Sequence, residues 1–95
     1  MIKSFKSKET EKLFNRTPTR KIPRNLQRQV LRKLRMLNSA MELKDLQRPP
    51  GNHLESLTGN RRGQYSIRVN DQWRICFIWS EEEHAALEVE MVDYH

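Results

Sequence analysis

Leu26, Val30, Leu34, Leu37 and Met41 stand 4, 4, 3 and 4 residues apart, and the chain then runs into Pro49, Pro50 and Gly51. That spacing predicts one face of an amphipathic helix, and two prolines with a glycine cannot continue it. Past the breaker the period changes to two. Tyr65, Ile67 and Val69 alternate with Gln64, Ser66 and Arg68. Trp73, Ile75, Phe77 and Trp79 alternate with Arg74, Cys76 and Ile78, and Leu87, Val89 and Met91 repeat the pattern near the end. Helical spacing followed by strand spacing within 95 residues predicts an α+β chain whose helices share one sheet face.

The remaining signals fill in the order. "IKSF" alternates like a short N-terminal strand. Ser7 is placed to cap a helix that carries Glu9 and Glu11 in its first turns and ends near Asn15. Pro18 and Pro23 punctuate a loop, and Pro23 can open the long helix. "MELKDL" allows one or two further helical turns. "HLESL" reads as a short strand, "TGNRRG" as a glycine-rich turn, "NDQ" as a hairpin turn and "SEEEH" as a polar turn before the closing strand. The expectation is a single domain over residues 1–95: a short strand, two helices, and an antiparallel sheet of about four strands.

Charge is distributed unevenly. Residues 1–35 hold six Lys and six Arg against two Glu, a net of +10. Residues 36–80 net +2, and residues 81–95 hold six acids and no Lys or Arg. A basic front half suits a polyanionic partner, nucleic acid first. Arg24, Arg28, Arg32 and Arg35 form a stripe beside the apolar one, and two readings stand: a solvated face, or a surface for phosphate or an acidic partner. No stretch is long enough to span a membrane, the N-terminus has no apolar run resembling a signal peptide, and a lone cysteine excludes an intrachain disulfide. A reducing cytoplasm is expected.

Arg68 and Arg74 flank the turn at 70–72 and should point to one side of neighbouring strands. Guanidinium forks bind phosphate oxygens bidentately, and Arg61 and Arg62 would extend the track along a nucleic-acid backbone. RNA can be cut by proton transfer alone, with a base for the 2′-OH, an acid for the leaving 5′ oxygen and fixed cations for the phosphoryl oxygens. His95 is the candidate acid or base. Asp93 and its own terminal carboxylate would favour its protonated form, and Tyr94 would stack on a base or donate a proton. His53 and His84 have no partner at metal-ligand spacing. No metal or cofactor is expected.

"PPGNHLESLTGNRRGQYSIRVNDQWRICFIW" followed by a terminal "DYH" resembles the HigB toxins of bacterial toxin–antitoxin systems, within the RelE/ParE superfamily. "MIKSF" and "LFN" fit as well, so the resemblance spans essentially the whole chain. It implies a RelE-like, microbial-ribonuclease-like α+β fold. It implies endoribonuclease cleavage of mRNA in the ribosomal A site, halting translation. It implies a HigA-type helix-turn-helix antitoxin as partner, with DNA met only through that antitoxin, and the stripe of Arg24, Arg28, Arg32 and Arg35 is the surface expected to take an acidic segment of it. The family's terminal Asp-Tyr-His falls on Asp93, Tyr94 and His95, and the arginine of its Trp-Arg pair on Arg74. Where well-known members carry an internal histidine, this chain has Glu55. Either Glu55 serves as base, or His53, two residues earlier and on the same side of a strand about 7 Å away, takes that place, or the chemistry is slowed. A lysine of some members is replaced by Thr58.

Two other functions fit a basic α+β chain of this size. One is a non-catalytic, ParE-like toxin of the same fold that poisons DNA gyrase. The other is a basic adaptor that binds the ribosome without cutting RNA.

Overall fold

A computed structural model describes residues 1–93. Helix α1 spans Lys8–Phe14 and α2 spans Arg24–Ser39. Four strands follow: β1 Glu55–Ser56, β2 Tyr65–Arg68, β3 Trp73–Ser80 and β4 Ala85–Asp93. Single 3-10 turns at Leu43–Leu46, Pro50–Asn52 and Gly59–Arg61 sit in the connections. The strands lie in sequence order and every pair is antiparallel.

Local chemistry accounts for the helices. Ser7 Oγ accepts from the Thr10 amide at 3.2 Å and so caps α1, with Glu9 and Glu11 in its first turn. α2 starts after Pro23 and buries Leu26, Val30, Leu34 and Leu37. Those four pack with Ile67, Ile75, Phe77, Trp79, Ala86 and Val89 of the sheet. At about 25 cal/mol per Å² of apolar surface removed from water, this layer is the main stabilising contribution.

Two expectations about apolar positions are corrected. Met41 does not continue the helix stripe: it is 66% exposed. Ala40 is already extended, and the amides of Met41 and Glu42 turn to donate to Asp45 Oδ2, each at 3.0 Å. Leu87 does not share the core face with Val89. Between the pairs Ile78↔Leu87 and Cys76↔Glu90 the ladder advances two residues on β3 but three on β4. The extra residue is a β-bulge, with Glu88 at φ +52°. Ala86 and Val89, three apart, both reach the core, while Leu87 pairs with the exposed Ile78 on the other face.

The first residues form two isolated parallel bridges, Ile2↔Ala86 and Phe5↔Val89, rather than a full strand. They cover the open edge of β4. The Ala86 amide donates to Met1 O at 2.8 Å, that of Glu88 to Ser4 Oγ at 2.8 Å and that of Val89 to Ser4 O at 3.1 Å. The buried Thr10 of α1 then takes the Met91 amide at 3.1 Å. An edge satisfied in this way is not open to strand pairing with another chain.

Candidate functional site

The sheet face turned away from the helices carries polar groups in neighbouring registers. Glu55 stands opposite Ser66, Ser66 opposite Cys76, and Arg68 directly opposite Arg74. Like charges facing each other across a ladder cost stability, so the Arg68–Arg74 pair is not explained by folding.

Arg74 is 9% exposed. Its Nε donates to Ser66 Oγ at 2.7 Å, and its Nη2 donates to Ser66 O at 3.3 Å and to the His53 carbonyl. Three of the five guanidinium donors are thus spent on holding the side chain. Nη1 remains, 4.0 Å from Glu55 Oε1, close enough for attraction but too long for a hydrogen bond. The result is a fixed cation with one edge to offer. Arg68 pairs instead with Asp71, a carboxylate in full solvent, and a pair of that kind is weak enough to exchange for another anion.

His53 does not lie on a strand. It ends the 3-10 turn Pro50–Asn52 with φ +42°, so strand parity does not set the direction of its ring. What reaches Arg74 is its carbonyl. Asn52 holds that turn in place. It is fully buried, donates to Leu46 O at 3.1 Å, and accepts from Lys33 Nζ of α2 at 2.5 Å. Burial first, then the charges of Arg32 and Arg68, pull the Lys33 ammonium below its ordinary pKa. Ser66, Asn52 and Lys33 were not marked by the sequence reading. For Lys33 a signal was present: it lies three residues after Val30 and four before Leu37, at the margin of the core stripe.

The turn arginines separate. Arg61 folds back over the sheet, with Nη1 3.2 Å from Gln64 Oε1 and 3.5 Å from Glu90 Oε2. Lys6 approaches the same Glu90 oxygen at 3.4 Å. Arg61 is therefore partly neutralised where an open phosphate track was expected, whereas Arg62 is exposed. Asp93 stands opposite Trp73, beside the hairpin that bears Arg68 and Arg74, and its Oδ2 accepts from Gln72 Nε2 at 3.1 Å. Tyr94 and His95, the other two members of the terminal triplet, lie outside the described residues. Arg24, Arg28, Arg32 and Arg35 all project from α2 into solvent, and among the described residues none has a carboxylate within 4 Å. No cluster of three or more potential metal ligands occurs among the described residues.

The family model described as "RelE-like toxin of type II toxin-antitoxin system HigB" matches residues 3–95. The chain is 41% identical over 80 residues to "Toxin HigB-1" of Vibrio cholerae, covering 83% of this chain and 84% of that protein. It is 35% identical over 95 residues to "Endoribonuclease HigB" of Proteus vulgaris, covering 100% of both. Among solved structures, the YoeB–YefM toxin–antitoxin heterotetramer from Staphylococcus aureus contains a chain that superposes with a TM-score of 0.58 at 16% identity, over 100% of this chain and 98% of that one. At that identity the likeness is one of fold.

Proposed function

The chain belongs to the HigB-like family, the RelE-like toxins of type II toxin–antitoxin systems, and we propose that it arrests translation as an endoribonuclease that cuts mRNA in the ribosomal A site. The observation that carries this reading is Arg74. A buried guanidinium held by Ser66 and His53, with Nη1 left over, faces a second arginine in a ladder that gains nothing from the pairing. Such a cation is preorganised for a phosphodiester.

In the proposed reaction Glu55 takes the proton from the ribose 2′-OH. The 2′ oxygen attacks phosphorus, and charge builds on the non-bridging oxygens against Arg74, with Arg68 exchanging Asp71 for phosphate. The bond to the 5′ oxygen breaks, and that oxygen takes its proton from His95. The products are a cyclic phosphate and a free 5′-OH. Glu55 is favoured over His53 as base because its carboxylate lies 4.0 Å from Arg74, while His53 offers Arg74 its backbone. In this reading the negative charge of Asp93 favours the acid role of His95, and Tyr94 stacks on a base. Arg62 and the His53 side chain bind the RNA backbone, and Arg61 joins them by exchanging Glu90 for phosphate. The ribosome supplies the ordered substrate that so small a cationic patch would not align alone, and a toxin acting on it works in the cytoplasm. The antitoxin partner is of the HigA helix-turn-helix kind, and DNA is reached through it.

The test is a map of 5′ ends on a reporter mRNA after inducing the protein without antitoxin. Cuts inside codons that vanish with His95→Ala and with loss of the start codon are expected. Growth arrest with intact mRNA in all cases would reject the reading and point to gyrase or to passive ribosome binding.

A further inference from the structure

A concavity elsewhere on the protein shares no residue with the surroundings of Arg74. It is a groove of about 750 Å³ between the end of α1, the loop 16–23 and the first half of α2. Leu13 and Ile22 are buried at its bottom, and Leu31, Pro18 and Pro23 form its apolar sides. Arg16, Arg20, Arg24 and Arg28 stand around it. All four are exposed, no Asp or Glu lines the groove, and among the described residues none of the four has a carboxylate within 4 Å.

The groove is built, not a gap between loose segments. Gln27 Nε2 donates to Thr19 O at 3.2 Å and to Ile22 O at 3.0 Å, fastening the loop to α2. Thr19 in turn donates to the Glu9 carboxylate of α1. On α2 the contributing positions are 24, 27, 28 and 31, a stripe next to the core stripe. Arg32 and Arg35, which continue the arginine row, are not part of it. A preformed site lowers the ordering cost of binding.

Resting on the toxin reading above, we propose that this groove receives an acidic, amphipathic segment of the cognate antitoxin. Its apolar side chains would cover Leu13, Ile22 and Leu31 while its carboxylates pair with the four arginines. Charge complementarity alone would also admit RNA, but a phosphate backbone gains nothing from an apolar floor, whereas a peptide with acidic and leucine-like side chains satisfies floor and rim together. Arginine rather than lysine at all four rim positions fits bidentate carboxylate pairing. A partner seated here leaves the Arg74 edge uncovered.

The experiment compares wild type with Arg20→Glu/Arg28→Glu and with the neutral Arg20→Gln/Arg28→Gln. Three quantities are read for each: affinity for the full-length cognate antitoxin, affinity for a short single-stranded oligouridylate, and ribosome-dependent mRNA cleavage. Antitoxin affinity should fall at least about tenfold on charge reversal and less on neutralisation, with oligouridylate binding and cleavage retained. Retained cleavage also shows that the variants fold. Unchanged antitoxin affinity overturns the proposal. So does a loss of oligouridylate binding or of cleavage as large as the loss of antitoxin binding, which would assign the groove to RNA. A wild-type protein that binds no antitoxin and cuts no mRNA would instead overturn the toxin reading, and this proposal with it.

Discussion

The carbonyl of His53, and not its ring, accepts the hydrogen bond from Arg74. That contact links the core to the candidate site. Lys33 of α2 donates to Asn52, Asn52 fixes the 3-10 turn, and the turn presents the carbonyl that holds the guanidinium. Each step is a contact of two fixed partners, so loosening one should be felt at Arg74.

Arg74→Ala should lower mRNA cleavage by roughly 10²–10³-fold, the size of effect seen when one preorganised electrostatic group is removed. Arg74→Lys should not restore it, because an ammonium cannot serve Ser66, His53 and a phosphate together. Single-turnover rates on programmed ribosomes check both. A fully active lysine variant would count against the fork geometry.

Glu55→Gln should cost about two to four orders of magnitude in rate, the size of a lost general base. His53→Ala keeps the carbonyl and should change the rate far less, with its effect mainly in KM. The reverse ranking would move the proton-abstracting role to His53.

Asn52→Ala should destabilise the fold by about 1–3 kcal/mol, because it leaves Leu46 O and Lys33 Nζ without their buried partner. A denaturant titration reads this term. Cleavage measured well below the unfolding midpoint should also drop, since the turn that orients Arg74 is no longer pinned. Normal cleavage by the folded variant would show that the turn holds its shape without Asn52.

Glu88→Val tests the bulge. Valine is the better strand former, yet at φ +52° a β-branched residue should destabilise by about 1–2 kcal/mol. Glu88→Gly should be near neutral. Thermal melts of the two variants give the comparison, and a stabilised valine variant would mean that β4 straightens.

Two backbone amides hold the Asp45 carboxyl below its ordinary pKa. A carboxylate with a depressed folded pKa stabilises fully above its unfolded value, about 3.9, and loses that contribution as pH falls through the folded value. The melting-temperature gap between wild type and Asp45→Ala should therefore be open at neutral pH and close below about pH 4. A gap that persists at low pH would mean that the charge is not the cause.

The two helices, the strands at 65–68, 73–80 and 85–93 and their order are legible in the sequence, whereas the short strand expected at residues 2–5 is a pair of isolated bridges. Helical spacing at 26–37 and alternation at 65–69 and 73–79 are properties of single segments, and each segment buries the face that its own period exposes. Charge spacing likewise marked the arginines of α2. Relations between segments are set in three dimensions. Nothing in "ALEVEMV" announces that Glu88 turns left-handed and moves Leu87 off the core face. Met41 matched the helix period, but the Asp45 carboxylate offered its amide a better partner. Arg61 belonged to an apparent phosphate track until a strand distant in sequence brought Glu90 beside it. Arg16 and Arg20, in a loop, joined Arg24 and Arg28 only through the fold of that loop. Periodicity reports how a segment meets the core, which is local. Ion pairs, bulges and grooves depend on which residues a second segment brings near, and one-dimensional spacing does not contain that distance.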